Sequence, residues 1–66
     1  MNIKSVHDVR QLLLRFHSVI YTQDRLTDLI LMEDELSMLQ QSGLLEREDY
    51  YACKRILQVE QRKLEK

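Results

Sequence analysis

Hydrophobic residues repeat with helical spacing in three segments of the chain, separated by short irregular stretches. In the central segment they recur every three or four residues, which places them on one stripe of a helix with about 3.6 residues per turn. This stripe consists of Leu29, Met32, Leu36 and Leu39. Asp24 is suited to the start of the helix, and Gly43 can adopt the left-handed conformation that ends one. The pattern predicts a helix from about residue 25 to residue 42, buried along the stripe.

The same spacing predicts a helix on each side of the central one. The first covers about residues 6–16, and Ser5 followed by Asp8 resembles a capping box at its start. Its core positions are Val6, Val9, Leu12, Leu13 and Phe16. The third covers about residues 46–64, and its apolar face comprises Leu45, Ala52, Cys53, Ile56, Leu57, Val59 and Leu64. The short links predict an all-α fold, a compact antiparallel three-helix bundle forming one domain over residues 1–66.

Between the first two helices the pattern breaks at residues 17–23, where β-branched and aromatic residues are neighbours. Such residues fit an extended link better than a helix surface. We expect a tight, partly buried loop in which Ile20 or Tyr21 covers the end of the core.

Composition restricts the class of protein. Charged residues make up 32% of the 66 residues and there is no proline, which favours a small folded domain over a disordered tail. The single cysteine cannot form an internal disulfide, and charges interrupt the first fifteen residues, so neither a secreted scaffold nor a signal peptide is expected. No apolar run is long enough for a bilayer. We therefore expect a cytoplasmic protein that does not associate with membranes.

Most chemical functions lack the residues they need. One glycine cannot build a phosphate-binding loop, and one cysteine with His7 and His17 does not match a zinc site. Asp28 and Glu35 share a flank of the central helix, but three short helices barely enclose a water-poor pocket. We expect no enzyme, cofactor, metal or small-molecule substrate. The carboxylates are expected to form ion pairs, Asp28 with Arg25 and Glu35 with a base on a neighbouring helix.

The outer surface of the third predicted helix combines basic side chains with a tyrosine. The stripe opposite its apolar face consists of Arg47, Tyr51, Lys54, Gln58 and Arg62. Basic groups neutralise phosphates and an aromatic ring stacks on a base, as sequence-tolerant binding of single strands requires. The alternative is an ordinary solvated surface, and Glu65 lies on the same stripe. The candidate nucleic-acid-binding residues are Arg47, Tyr51, Lys54, Arg55 and Arg62, together with Arg10 and Arg15 of the first helix.

A second candidate surface is apolar. Leu31 and Met38 are seven residues apart and point away from the core stripe of the central helix, and Leu14 lies on the far side of the first helix. A helix that is apolar on more than one face either packs between two others or contacts another subunit. The alternative function is therefore a protein-interaction module or a homo-oligomer assembled through Leu31, Met38 and Leu14.

The chain also resembles the YqgQ-like family over nearly its whole length. The positions that carry the likeness are Asp8-Val9, Leu12-Leu13, Ile20-Tyr21-Thr22, Asp24-Arg25, Asp28-Leu29, Leu31-Met32, Glu35-Leu36, Gly43-Leu44 and Ile56-Leu57. The resemblance implies a compact three-helix protein of the Gram-positive bacterial cytosol with no established enzymatic activity and with single-stranded nucleic acid as the suggested ligand. The family pattern has glycine where this chain has His17 and Gln23, and Ile30 and Met38 replace residues expected to be polar.

Overall fold

In a computed structural model, which describes residues 2–64, the chain forms three helices. They are α1 (Val6–Arg15), α2 (Arg25–Gln41) and α3 (Arg47–Leu64). Each predicted bound lies within one residue of the observed one, and the predicted three-helix bundle is confirmed. No helix among these residues has the length and hydrophobicity needed to cross a membrane.

The core lies between the stripes that the spacing predicted on α1 and α2. Its buried members are Val6, Val9, Leu12 and Leu13 of α1, Leu29, Met32, Leu36 and Leu39 of α2, and Leu45, Cys53 and Leu57. The apolar face predicted for α3 is too wide, because Ala52, Val59 and Leu64 are exposed. Ile56 packs against the core as predicted but is only partly buried, and Tyr50, which was not predicted, also packs against it.

The capping residues of α1 and α2 make different hydrogen bonds. At α1 the hydroxyl of Ser5 accepts from the Asp8 amide at 3.3 Å, and the Asp8 carboxylate accepts from the Lys4 amide at 2.9 Å. The capping box is therefore present, except that Asp8 bonds to the amide of Lys4 and not to that of the N-cap residue, Ser5. At α2 Asp24 occupies the N-cap position, but its carboxylate accepts from the Thr27 hydroxyl rather than from a backbone amide.

The contacts between α1 and α2 show the relative direction of the two helices, because residues later in the first segment contact residues later in the second. Arg10 Nη2 lies 3.5 Å from Asp28 Oδ2, and Ser18, just beyond α1, donates from its hydroxyl to Glu35 at 2.8 Å. The two helices therefore run in the same direction, so the reversal expected between successive helices is wrong for this pair. Residues 16–24, here called the connector, lead the chain back along them, which explains why this link is extended rather than a tight turn.

α2 and α3 form an antiparallel pair joined by residues 42–46. Arg25, the first residue of α2, bonds to Glu60 near the end of α3, with Nη2 3.4 Å from Oε2. The reversal expected between successive helices is thus found here. The start of α2 consequently lies beside the second half of α3, which places three segments of the chain at one end of the bundle.

Gly43 ends α2 as its position predicts. It has φ 79°, and the amides of Gly43 and Leu44 donate to the carbonyls of Gln40 and Leu39 at 3.1 Å and 3.0 Å. These two bonds define a Schellman motif, which needs a left-handed residue where Gly43 stands. The accompanying apolar contact is made differently from the expected one: Leu44 is exposed and Leu45 enters the core.

Both ends of the connector are left-handed although neither residue is glycine. His17 has φ 62° and occupies the glycine position of a second Schellman motif, with amide bonds from His17 to Leu14 and from Ser18 to Leu13. Gln23 has φ 68°. A left-handed residue with a Cβ costs roughly 1 kcal/mol, so contacts elsewhere must hold the connector in place.

The connector is held by Asp28, which is buried. The amide and the hydroxyl of Thr22 both donate to Asp28 Oδ1 at 2.7 Å, and Arg10 donates to the carbonyl of Ile20 at 2.9 Å. Asp28 is therefore the shared anchor of the connector and Arg10, and the pairing expected between Asp28 and Arg25 is wrong. Within the connector, Ile20 packs against the core while Tyr21 is exposed.

Candidate nucleic-acid interface

The exposed side of α3 is a basic surface that runs the length of the helix. Successive residues are rotated by about 100° around the helix axis, and six side chains of this surface fall within one sector of about 100° around that axis. These are Arg47, Tyr51, Lys54, Arg55, Gln58 and Arg62, here called the outer face of α3. All are exposed except Lys54, which is half-buried. The structure therefore brings together every α3 residue proposed from the sequence as a nucleic-acid contact.

The carboxylates of α3 lie outside this face. By helical geometry Glu48 is at its edge, whereas Asp49 and Glu60 are on the opposite side of the helix. Among the ion pairs within residues 2–64, none involves Arg47, Arg55 or another basic group of the outer face. Glu65, which lies on this stripe in the sequence, is outside the described residues. Over the described length the face is thus uniformly basic or neutral.

Two adjacent tyrosines and a lysine form the aromatic part of the interface. The ring centroids of Tyr50 and Tyr51 are 5.3 Å apart with the planes tilted by 51°, and Lys54 Nζ is 5.7 Å from the centroid of the Tyr50 ring. Tyr50 is anchored against the core, while 56% of Tyr51 is exposed. An exposed ring beside an ammonium group can stack on an unpaired base whose phosphate binds the cation.

The two basic residues of α1 lie elsewhere. Arg10 is committed to the connector and Asp28, so its guanidinium stabilises the fold. Arg15 is exposed near the end of α1 and lines a small cleft with Asn2 and Asp8. Neither residue lies on the outer face of α3, so the nucleic-acid site proposed below consists of α3 residues alone.

A second basic site, missed by the sequence reasoning, lies where the three helices meet at one end of the bundle. The cleft has a volume of about 500 Å³ and is here called the three-helix cleft. Its charged lining residues are Lys4, Arg25, Arg55, Glu60 and Lys63. They come from the segment before α1, from the start of α2 and from α3. No spacing within one element could have indicated that they share a site.

Glu60 organises part of this cleft. Its carboxylate bonds to Lys63 Nζ at 3.3 Å and to Arg25 Nη2 at 3.4 Å. Hydrogen bonds from Lys63 and then from Arg25 lower the pKa of Glu60, which keeps the carboxylate charged at neutral pH. Arg55 lines the cleft and also belongs to the outer face of α3, so the two basic surfaces are continuous.

The apolar residues proposed as a subunit contact are exposed. The exposed fraction is 39% for Leu31, 61% for Met38 and 46% for Leu14. Leu31 and Met38 share one side of α2, and Leu14 lines a groove of about 190 Å³ with Ile20 and Met32 under the connector. The exposed apolar residues thus lie on α2 and beside the connector, and the groove does not include Leu31 or Met38.

Neither the cysteine nor the potential metal ligands form a reactive site in the described residues. Cys53 is buried, and desolvation, together with the nearby Asp49 charge, raises the pKa of its thiol to about 11. The thiol is therefore protonated at neutral pH and is a poor nucleophile. Within residues 2–64 no group of three or more His, Cys, Asp or Glu side chains is arranged to hold a metal ion.

Fold and surface together define a small all-α protein with one basic helix face. The model of the YqgQ-like family matches residues 3–63, nearly the whole chain. The chain therefore belongs to the YqgQ-like family. Searches of the curated proteins and of the solved structures gave no match.

Proposed function

We propose that the protein is a non-enzymatic binding module for single-stranded nucleic acid and that it acts in the cytoplasm. The observation that carries the proposal is the outer face of α3. Its cations extend from Arg47 to Arg62, about 22 Å along the helix axis, and the described carboxylates of α3 lie outside it. A row of cations of this length contacts several successive phosphates.

The aromatic side chain favours a single strand over a duplex. The bases of a duplex are stacked on one another, whereas an unpaired base offers its face to the ring of Tyr51. Phosphate contacts and stacking both tolerate any base sequence. The proposal therefore concerns binding with little sequence preference, and RNA and DNA both satisfy it.

The distribution of charge supports an anionic ligand despite the net charge of −1. α3 contains five basic and three acidic side chains, whereas α2 contains one basic and four acidic side chains. An approaching polyanion is attracted to the α3 side and repelled by the α2 side, which orients it before contact. The overall charge conceals this asymmetry.

The test is the affinity for a fluorescently labelled single-stranded oligonucleotide as a function of salt. If Arg47, Lys54, Arg55 and Arg62 each neutralise one phosphate, the logarithm of the affinity falls with the logarithm of salt with a slope of about −3. Raising the salt from about 50 mM to about 200 mM then weakens binding by roughly 50-fold. Replacing Arg47 and Arg62 with glutamine lowers the slope by about half.

Arg15→Gln is the control for the loss of an arginine charge, because Arg15 is exposed and lies away from the outer face. It is expected to leave the salt slope unchanged. Absence of binding at low salt, or equal losses from the control and from the α3 variant, would exclude the outer face as the nucleic-acid site.

A second candidate function is assembly with another copy of the chain. It is favoured by Leu31 and Met38, two apolar side chains on one side of α2 that are 39% and 61% exposed. If two copies cover this surface, sedimentation gives a mass well above 8.0 kDa, and Leu31→Ser with Met38→Ser returns it to the monomer value. A monomer mass for the unchanged protein removes this candidate.

A further inference from the structure

Four cations of the three-helix cleft converge on one space from separate parts of the chain. Lys4 precedes α1, Arg25 begins α2, and Arg55 and Lys63 are separated by two turns of α3. All four line the same volume of about 500 Å³. Because these side chains are held by three different elements, the fold and not one helix keeps like charges together.

Among residues 2–64, Glu60 is the one carboxylate that lines the cleft. It bonds to Arg25 and to Lys63, and it fixes the positions of these two cationic groups. The ion pairs within residues 2–64 do not include Lys4 or Arg55. The cleft therefore has an excess of positive charge that an anion with more than one negative charge would offset.

The start of α1 borders the same space. Val6 and His7 line the cleft, and as first-turn residues their amides have no acceptor within the helix. The Asp8 amide, by contrast, is bonded to Ser5. The start of a helix has a positive potential, which favours an anion that the side chains have already attracted.

We propose that the three-helix cleft binds a terminal phosphate of the strand that lies on the outer face of α3. The inference rests on the proposed function and specifies which part of the ligand occupies the second site. A terminal phosphomonoester has a charge of about −1.5 to −2 at neutral pH, whereas each phosphate inside a strand has a single charge. Four converging cations match the more highly charged group.

Arg55 provides the structural link between the two sites. It is exposed on the outer face and also lines the cleft, so a strand bound along α3 reaches the cleft without leaving the basic surface. The strand end then lies between Lys4 and Lys63. Either end of a nucleic acid satisfies this geometry, because the 5′ and 3′ phosphomonoesters have the same charge.

The experiment compares three oligonucleotides of one sequence, with a 5′ phosphate, with a 3′ phosphate and with hydroxyl groups at both ends. One phosphorylated form is expected to bind about tenfold more tightly than the hydroxyl form. Lys4→Gln removes a cleft cation, while the Lys4 backbone amide that bonds to Asp8 is retained. This variant is expected to lose most of the tenfold difference and to bind the hydroxyl form as the unchanged protein does.

Arg15→Gln again serves as the control and is expected to keep the preference for the phosphorylated strand. Equal affinity for all three oligonucleotides would overturn the terminal-phosphate site and leave the function of the outer face intact. A preference that survives Lys4→Gln would also overturn it. Failure of the hydroxyl and phosphorylated forms alike to bind would exclude the proposed function and the cleft site together.

Discussion

Leu36→Ala is expected to lower the free energy of unfolding by about 3 to 5 kcal/mol, the range found for leucines in well-packed cores. Leu36 is completely buried in the middle of α2, between residues of all three helices that form the core. A domain of this size rarely has more than about 3 to 5 kcal/mol of stability in total. The variant is therefore expected to be largely unfolded at room temperature, which far-ultraviolet circular dichroism and urea titration measure directly.

Leu31→Ala is the matched control on the same helix. Leu31 loses the same atoms, but 39% of it is already exposed, so the expected loss in a monomer is about 1.5 kcal/mol or less. Equal effects of the two substitutions would contradict the packing of α2 described above. A large loss for Leu31→Ala that grows with protein concentration would instead indicate the second candidate function.

Asp28→Asn is expected to have the largest effect among the polar residues. The substitution keeps the size of the side chain and removes the charge that accepts two hydrogen bonds from Thr22 and faces Arg10. Without this anchor the left-handed ends at His17 and Gln23 are less well held. The melting temperature at neutral pH is expected to fall by about 5 °C or more.

The pH dependence follows from the direction of the pKa shift. The hydrogen bond from the Thr22 hydroxyl, then that from its amide and the Arg10 interaction, hold the pKa of Asp28 below its ordinary value of 3.8, against the opposing effect of desolvation. A lowered pKa in the folded state adds stability above the unfolded-state pKa, and this stability is lost as the pH falls through the folded-state pKa. The difference between Asp28→Asn and the unchanged protein should therefore shrink below about pH 3.8. A difference independent of pH would contradict the role of the charged carboxylate.

Features confined to one helix were the ones that the sequence predicted well. The core stripe around Leu29 and Leu36 follows from spacing alone, and Gly43 marks the end of α2 because its conformation is a local requirement. The outer face of α3 was predicted for the same reason, since residues such as Arg47 and Arg62 are neighbours on any regular helix.

Features that depend on how helices are placed were not predictable from spacing. Asp28 bonds to Thr22 and Arg10 rather than to Arg25, because the connector runs back across it. Arg25 is thereby left to bond Glu60 and to line the three-helix cleft. Both outcomes follow from α1 and α2 running in the same direction. The spacing of residues within one helix does not indicate the direction of a neighbouring helix.

The most direct test of the central claim is a titration of isotopically labelled protein with an unlabelled single-stranded oligonucleotide, followed by nuclear magnetic resonance. Binding on the outer face of α3 predicts that the resonances of residues such as Tyr51, Gln58 and Arg62 shift progressively. Those of Leu31 and Met38 on α2 should remain unchanged. Shifts centred on α2, or no shifts at low salt, would contradict the claim that this family member uses the basic face of its third helix to bind nucleic acid.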